Sequence, residues 1–546
     1  MKLKQKISCI ILMTALVISG CYSPTITHVV DEPTREEENA PKSGGEITLP
    51  ALGDVSLDPF AGTEDVISPA QLIFEPLIKI DSEGRIKPAL ARSWQTDEVH
   101  STYTFILRED VKWHNNKAFG SDDVVKVFDE IMDKKSQRPK WGQPPYLPEF
   151  DNVDSYSAPD EYTFVISLYE PDADFLYDLA LGVLPFVPEE SLEEPETEEA
   201  VPEVIGTGPF KFLESSPTDV VLVRNEDYYT SKPYIEKVMF RFFPDDHSAK
   251  EAFKKREVDI VGIAPEDWGM FQNTPDVYLL QSPSRYLEFV ALNHLNPLFS
   301  DAKVRRAMLY AIDRKKILQE SFLGRGMLVD TPILPFSWAF NSGIDHISYR
   351  PTDARQLLEE AGWRDEDDDG ILEKAIDGKE YKMEFELLVN MSNIRRYQAA
   401  LQIEKDLREV GISMKMANTS WDELEDTVLK KRYDAALLGW KLAPNPDLEF
   451  MFSTQEIKSG YNFVSYSNPK LDEIFEKVHI QESEREGLLH SAQDIISDEL
   501  PYLCLFSPND LWAINGKVKG FRPNAINLLE QIGDWWIDDI QDELEE

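Results

Sequence analysis

Residues 433–452 read YDAALLGWKLAPNPDLEFMF. The run 435–439 is small or apolar at every position and has the length of a buried strand. It delivers Trp440 into a segment broken by Pro444 and Pro446, so a large amphipathic ring is followed by an irregular loop. That arrangement builds one wall of a pocket: the ring offers area and one N–H donor, and proline-fixed backbone presents carbonyls already held in place. The competing reading makes Trp440 a core or edge aromatic. Nothing in the stretch has the makings of a catalytic centre.

Far upstream, residues 1–20 carry Lys2, Lys4 and Lys6, an apolar run over 7–18 and small residues before Cys21, the layout of a secretory signal. The run is too short to span a bilayer as a helix. Ile18-Ser19-Gly20-Cys21 matches the lipobox of bacterial lipoproteins, in which the cysteine thiol takes a diacylglycerol and the chain is cut before it. The resemblance implies Cys21 as a lipidated first residue. It implies a place outside the cytoplasm, in the periplasmic space or on the outer face of the cytoplasmic membrane. Cys9 then lies in the removed segment and Cys504 stands alone in an apolar run, so no disulfide forms within the mature chain and Cys504 reads as a small hydrophobe. Residues 21–43 are polar and acidic with Pro24, Pro33 and Pro41, the composition of a tether.

The remaining body, about 500 residues, is long enough for two or three domains with large cores. The chain holds 56 basic against 100 acidic residues, a net charge of −44; removing the three lysines of residues 1–20 leaves −47. Such a surplus repels nucleic-acid phosphates, and its ordinary role is to solvate the surface. After the signal there is no apolar run of about 18 residues, which describes a soluble body, and no tandem repeat.

Along the body, residues 44–50 (GGEITLP) read as a first strand, residues 69–77 (PAQLIFEPL) as a short helix before a strand at Ile78–Ile80, and residues 103–108 (YTFILR) as a half-exposed strand. Ser121 or Asp122 caps a helix through Phe128 and Ile131. Segment 299–314 places Val304, Ala307, Met308, Ala311 and Ile312 at three- and four-residue spacing, one buried stripe of a helix. Residues 352–362 make a second helix with a threonine cap and a glycine stop, and Ala400, Ile403, Leu407 and Val410 mark a third ending at Gly411.

The order of several fragments is specific. Leu57-Asp58-Pro59, Phe74-Glu75-Pro76-Leu77, Pro88-Ala89-Leu90-Ala91-Arg92-Ser93-Trp94, Tyr103-Thr104-Phe105, Val111-Lys112-Trp113-His114, Asp122-Asp123-Val124, Gly206-Thr207-Gly208-Pro209-Phe210 and NEDYYTSKPYIEKV at 225–238 follow one another. Together they resemble extracellular solute-binding protein family 5, the oligopeptide, dipeptide and nickel-chelate receptors of ABC importers, with Tyr229 where that family usually has tryptophan. The resemblance implies an α/β, periplasmic-binding-protein-like fold of two lobes (type II, cluster C) with an extra inserted domain. Residues 44–79, 205–297 and 506–546 would form lobe I, 80–204 the inserted domain II, and 298–505 lobe II. The chain would cross between lobes near 297 and 506, with the ligand enclosed in the cleft between them.

By the same resemblance the cleft is walled by Gly439, Trp440 and Lys441, by Ala443, Asn445 and Asp447 in the following loop, and by Tyr461, Asn462 and Tyr466. The family holds peptides extended through their main chain, which separates affinity from sequence because backbone N–H and C=O groups are the same in every peptide. In well-known members an aspartate three residues after the tryptophan pairs with the ligand ammonium; here that place is Ala443. Asp447 either takes over the ammonium or caps a turn, or the ligand is something else, such as an oligosaccharide. Lys441 either meets a ligand carboxylate or is solvated.

Residues 365–370 (DEDDDG) hold the first half of a calcium loop, but Ile376 stands where a bidentate glutamate is required, which favours a solvated acidic turn. The eight histidines lack paired spacing, which argues against protein-coordinated zinc or another resident metal, and His114 reads as structural. G-x-S-x-G, P-loop and G-x-G-x-x-G motifs are missing. The expectation is a catalytically silent, monomeric, lipid-anchored receptor without a cofactor, passing peptides to an ABC permease. The alternatives are the same fold carrying sugars or metal chelates, a sensory receptor, and a secreted hydrolase using clustered carboxylates.

Overall fold

Apolar alternation builds the first half of the chain. In the computed structural model, which describes residues 40–53, 57, 67–97, 99–132, 150–180, 186–188 and 204–538, the strands Thr102–Leu107 and Thr163–Leu168 bury every second side chain. The signal, Cys21, most of the tether and residues Asp58 and Pro59 lie outside the described residues. The two strands are central in an antiparallel sheet ordered Ala91–Thr96, Thr102–Leu107, Thr163–Leu168, Val153–Asp160. Helix Ser121–Met132 buries Val124, Val127, Phe128 and Ile131, and the Phe128 ring meets Phe164 and Tyr156 with centroids 5.1 and 5.3 Å away. A second sheet runs Glu46–Leu52, Lys237–Phe243, Asp219–Arg224, Phe210–Ser215, its first pair parallel. Both sheets share one apolar core that includes Phe105, Phe240 and Trp535.

The second half is organised by the strand Ala435–Lys441. It lies inside an eight-stranded sheet, between Tyr286–Leu292 and Glu384–Val389. Ala435 and Leu437 enter one core with Val290, Leu387 and Leu503; Ala436 and Leu438 enter another with Phe289, Ala291 and Cys504. A strand covered on both faces must be apolar at consecutive positions, which is why this one reads as a run and not as an alternation. Burial pushes the Cys504 thiol up to about 12, so it packs as an inert hydrophobe.

The two halves share a long strand, Tyr502–Asn515. Its first part pairs with Tyr286–Leu292 and its last part with Val277–Pro283. Between the two pairings, Ser284 Oγ donates to Pro508 O at 2.5 Å and Ser507 Oγ donates to Ser284 O at 3.3 Å.

Helix ends differ in places from their sequence reading. The helix expected to run to Arg314 is Ala302–Ala311, because Asp313 caps a new helix, Arg314–Phe322, accepting from Lys316 N. Pro351 starts the next helix, with Arg350 before it, so Thr352 lies inside the first turn and caps nothing. Helix Ile394–Arg408 stops before Gly411, whose φ of +86° is the left-handed conformation a glycine takes at no steric cost.

Candidate functional site

Side-chain alternation divides the end of the strand Ala435–Lys441 between two surfaces. Gly439 is paired with Glu288 and Trp440 with Leu287, so the glycine and the indole point opposite ways. A Cβ at Gly439 would collide with the Arg396 guanidinium and come within 2.9 Å of Glu288 Oε1. The glycine leaves room for a bidentate ion pair, in which Arg396 Nε and Nη2 each donate to Glu288 at 2.9 Å. Burial pushes the Glu288 carboxyl up, and Arg396 opposes the shift.

Trp440 joins an aromatic wall on the other surface. Its ring stacks on Phe463 (5.8 Å between centroids) and Phe289 (6.4 Å), and meets Phe450 and Tyr461 edge-on at 5.3 and 5.8 Å. Its indole Nε1 is buried and makes no geometrically sound hydrogen bond among the described residues; the Tyr502 phenol is its polar neighbour. Tyr461 is half exposed. Trp440 and Tyr461 are therefore the predicted residues that stand together as a surface.

The other predicted residues go elsewhere. Lys441 sits on the Gly439 side, its ammonium 5.9 Å from the centre of the Tyr286 ring, and faces Asp510, whose carboxyl burial raises to about 6 against the pull of Lys441 and Arg285. Ala443 is exposed. Asn445 Nδ2 donates to Asp174 Oδ1 at 3.0 Å, and Asp447 Oδ1 accepts from Glu449 N at 2.7 Å, the turn-capping geometry of an Asx residue. Burial, together with Asp174 and Glu449, raises the Asp447 carboxyl to about 6. Asn462 is fully buried: its amide donates to Ser453 O and Tyr466 O, and its oxygen accepts from Tyr466 N. Tyr466 donates to Glu499 at 2.7 Å. Asn462 and Tyr466 thus staple the loop that presents Tyr461.

A cavity of about 450 Å³, of the size that holds small ligands, opens beside this wall. It is lined chiefly by Gln71, Glu75, Tyr228 and Glu530, and is bounded by Arg285, next to Ser284, and by Pro444 from the 442–447 loop. Trp440 does not line it. The two features adjoin through Arg285, which lines the cavity and donates to Leu442 O at 3.1 Å. Glu75 is buried in the cavity wall; Tyr228 and Tyr229 donate to its Oε1 at 2.7 and 2.9 Å, while burial pushes its carboxyl up. Sequence reasoning met Glu75 and Tyr228 only as fragments of motifs. The available signal was an acid inside the apolar run LIFEPLI, because a buried carboxylate requires donors.

Two further candidates are structural in their geometry. His114 Nδ1 accepts from Gly206 N at 3.2 Å, which leaves Nε2 to donate to Gly208 O at 3.0 Å, so the neutral ring clamps the GTGPF turn; burial lowers its pKa to about 4. In the acidic turn, the Lys382 ammonium lies 3.0 Å from Asp367, 2.5 Å from Asp369 and 3.0 Å from Glu373, the place a cation would take.

Comparison with known proteins gives the family context. Residues 85–462 match the middle region of the bacterial extracellular solute-binding proteins, family 5. The oligopeptide-binding protein AppA of Bacillus subtilis is 26% identical over 97% of this chain and 97% of its own. The nickel-binding periplasmic protein of Escherichia coli is also 26% identical, over 82% of this chain and 86% of its own. Among solved structures, B. subtilis AppA in complex with a nonapeptide superposes with a TM-score of 0.62, covering 92% of this chain and 100% of that one.

Proposed function

The chain belongs to family 5 of the bacterial extracellular solute-binding proteins and has their type II periplasmic-binding-protein fold; from that premise we propose that it is the capture component of an ABC importer, with peptides as its cargo. The cavity of about 450 Å³ carries this reading, because lobe I lines it, Pro444 of the other lobe borders it, and Arg285 ties it to the loop that follows Trp440. The halves are lobe I with its inserted domain, residues 44–297 and 506–546, and lobe II between them, pivoting where Ser284 and Ser507 cross. A ligand that touches both halves only when they close shifts the open–closed equilibrium by its differential affinity. The Cys21 lipid and the tether of residues 21–43 hold the body at the membrane, where the closed form, a monomer, docks on the permease.

Native mass spectrometry of the purified chain identifies any co-purified ligand directly. Peptide at a hundredfold excess over Kd stabilises the fold by about 2.7 kcal/mol and is recovered unaltered. Absence of stabilisation by any peptide pool overturns the cargo, and a cleaved peptide overturns the receptor. A nickel chelate is the rival cargo, since the nickel-binding relative is as similar in identity as the oligopeptide-binding one; the same spectra separate the two by mass.

A further inference from the structure

The seam is shut by charge at a point away from the cavity. Asp174, in the half that carries the Thr102–Leu107 sheet, reaches across to the other half. There the Arg485 guanidinium donates to its Oδ1, Asn445 Nδ2 donates to the same oxygen at 3.0 Å, and His479 Nδ1 stands 3.1 Å from its Oδ2. The opposite ring nitrogen of His479, Nε2, stands 2.5 Å from Glu449 Oε2. Nearby, Trp338 Nε1 donates to Tyr177 Oη at 3.0 Å and Trp338 N donates to Glu83 O at 2.9 Å, so the contact is an interface and not a lone pair.

A neutral imidazole has one N–H and one lone pair. With a carboxylate oxygen against each nitrogen, the neutral ring would turn its lone pair on an anion, whereas the imidazolium donates to both. We propose that closing the two halves captures a proton, held on His479 between Asp174 of one half and Glu449 of the other, so that closure is linked to pH. The inference rests on the two-half reading above.

The groups that face His479 are Asp172 and Asp174 from the opposite half, Glu449 and Asp447 from the loop and short helix before it, and Arg485 from helix Arg485–Glu499. Hydrogen bonds that His479 donates to Asp174 and Glu449 raise its midpoint to about 10, whereas Asp174, although burial works against it, is lowered to about 2 by His479 and Arg485. When the halves part, His479 loses Asp174 but keeps Glu449, so its midpoint falls toward the ordinary value of about 6.5 and stays above it. A group raised in the closed form favours closure fully below its open-form midpoint and ceases to as pH climbs through the closed-form value. The Asp174 contribution is present above about 3.8 and fades below it. The latch is therefore whole between about pH 4 and 6.5 and weakens above, by up to about tenfold in the closing equilibrium per pH unit. Arg485 holds Asp174 at every pH in this window, so closure weakens and is not abolished.

The test uses the full mature chain without ligand. Histidine C–H resonances are followed against pH in wild type and in Asp174→Asn, with His479→Gln supplying the assignment among the eight histidines. The expected result is a His479 midpoint at least one unit lower in D174N, with a wild-type radius of gyration by X-ray scattering that grows from pH 6 to pH 9 and does not change with pH in H479Q. An unchanged midpoint in D174N overturns the bridge, and a radius indifferent to pH in wild type overturns its link to closure. Neither readout involves peptide, so a chain that binds no peptide refutes the cargo alone and leaves the latch to be judged by these results.

Discussion

Replacing Trp440 with alanine separates a structural wall from a binding wall. The ring contacts Phe289, Phe463, Phe450 and Tyr461, and it is partly rather than fully buried. A fully buried tryptophan costs about 3–5 kcal/mol on truncation to alanine; partial exposure puts this one at about 2–3 kcal/mol. Chemical unfolding followed by far-ultraviolet circular dichroism measures it without relying on tryptophan fluorescence. Trp440→Phe keeps one six-membered ring of the stack, deletes the indole N–H together with the rest of the five-membered ring, and costs about 1–2 kcal/mol. Nε1 is buried beside the Tyr502 phenol, so the substitution also takes away that hydroxyl's polar neighbour. If a ligand packs on the exposed part of the ring, W440F loses about 1 kcal/mol of binding, or roughly fivefold in Kd. A W440A cost below about 1 kcal/mol would refute the packing argument, and wild-type affinity in W440F and W440A would remove the ring from the site.

Arg396→Met leaves Glu288 buried without its partner and destabilises by about 3–5 kcal/mol at neutral pH; the loss shrinks toward pH 5 as the orphaned carboxyl protonates, which unfolding at both pH values reads. Millimolar calcium leaves the melting temperature unchanged, because the Lys382 ammonium already occupies the acidic turn; a calcium-dependent rise in wild type would show that the carboxylates prefer the ion. His114 has a depressed folded-state midpoint of about 4, so the unfolded chain binds the extra proton between about pH 6.5 and 4 and stability falls with pH there, by roughly 3 kcal/mol over the window. His114→Gln removes that part of the acid slope, and an unaltered slope in the variant would assign it to other groups.

How far the sequence reached depends on where each residue's partner lies. Ala435–Lys441 was legible because burial on two faces demands apolar residues in succession, a demand that no tertiary detail alters. The Ser121–Met132 helix was legible for the same kind of reason, its stripe being a local period. The helix expected to reach Arg314 ended early because Asp313 was read as continuing the pattern when it caps the next one. Asn445 illustrates the harder case: its amide is spent on Asp174, 271 residues away in the chain, and no local pattern distinguishes it from a side chain offered to a ligand.

Asn462 and Glu75 mark the boundary more sharply. Each is a polar side chain among apolar neighbours, so the sequence already implies burial, and burial implies that its hydrogen-bonding capacity is consumed. For Asn462 the consumers are local, Ser453 O and the Tyr466 backbone, and its amide oxygen and nitrogen leave little to offer a guest. For Glu75 they are Tyr228 and Tyr229, and both hydroxyls go to one oxygen, leaving Oε2 without a sound donor among the described residues. A buried carboxyl half satisfied in this way is held nearer to its neutral form than an exposed one, as its raised pKa requires. The useful question for a polar residue in an apolar run is therefore how many of its bonds the fold can supply. Where the supply falls short beside a cavity, as at Glu75 and not at Asn462, there is chemistry left over.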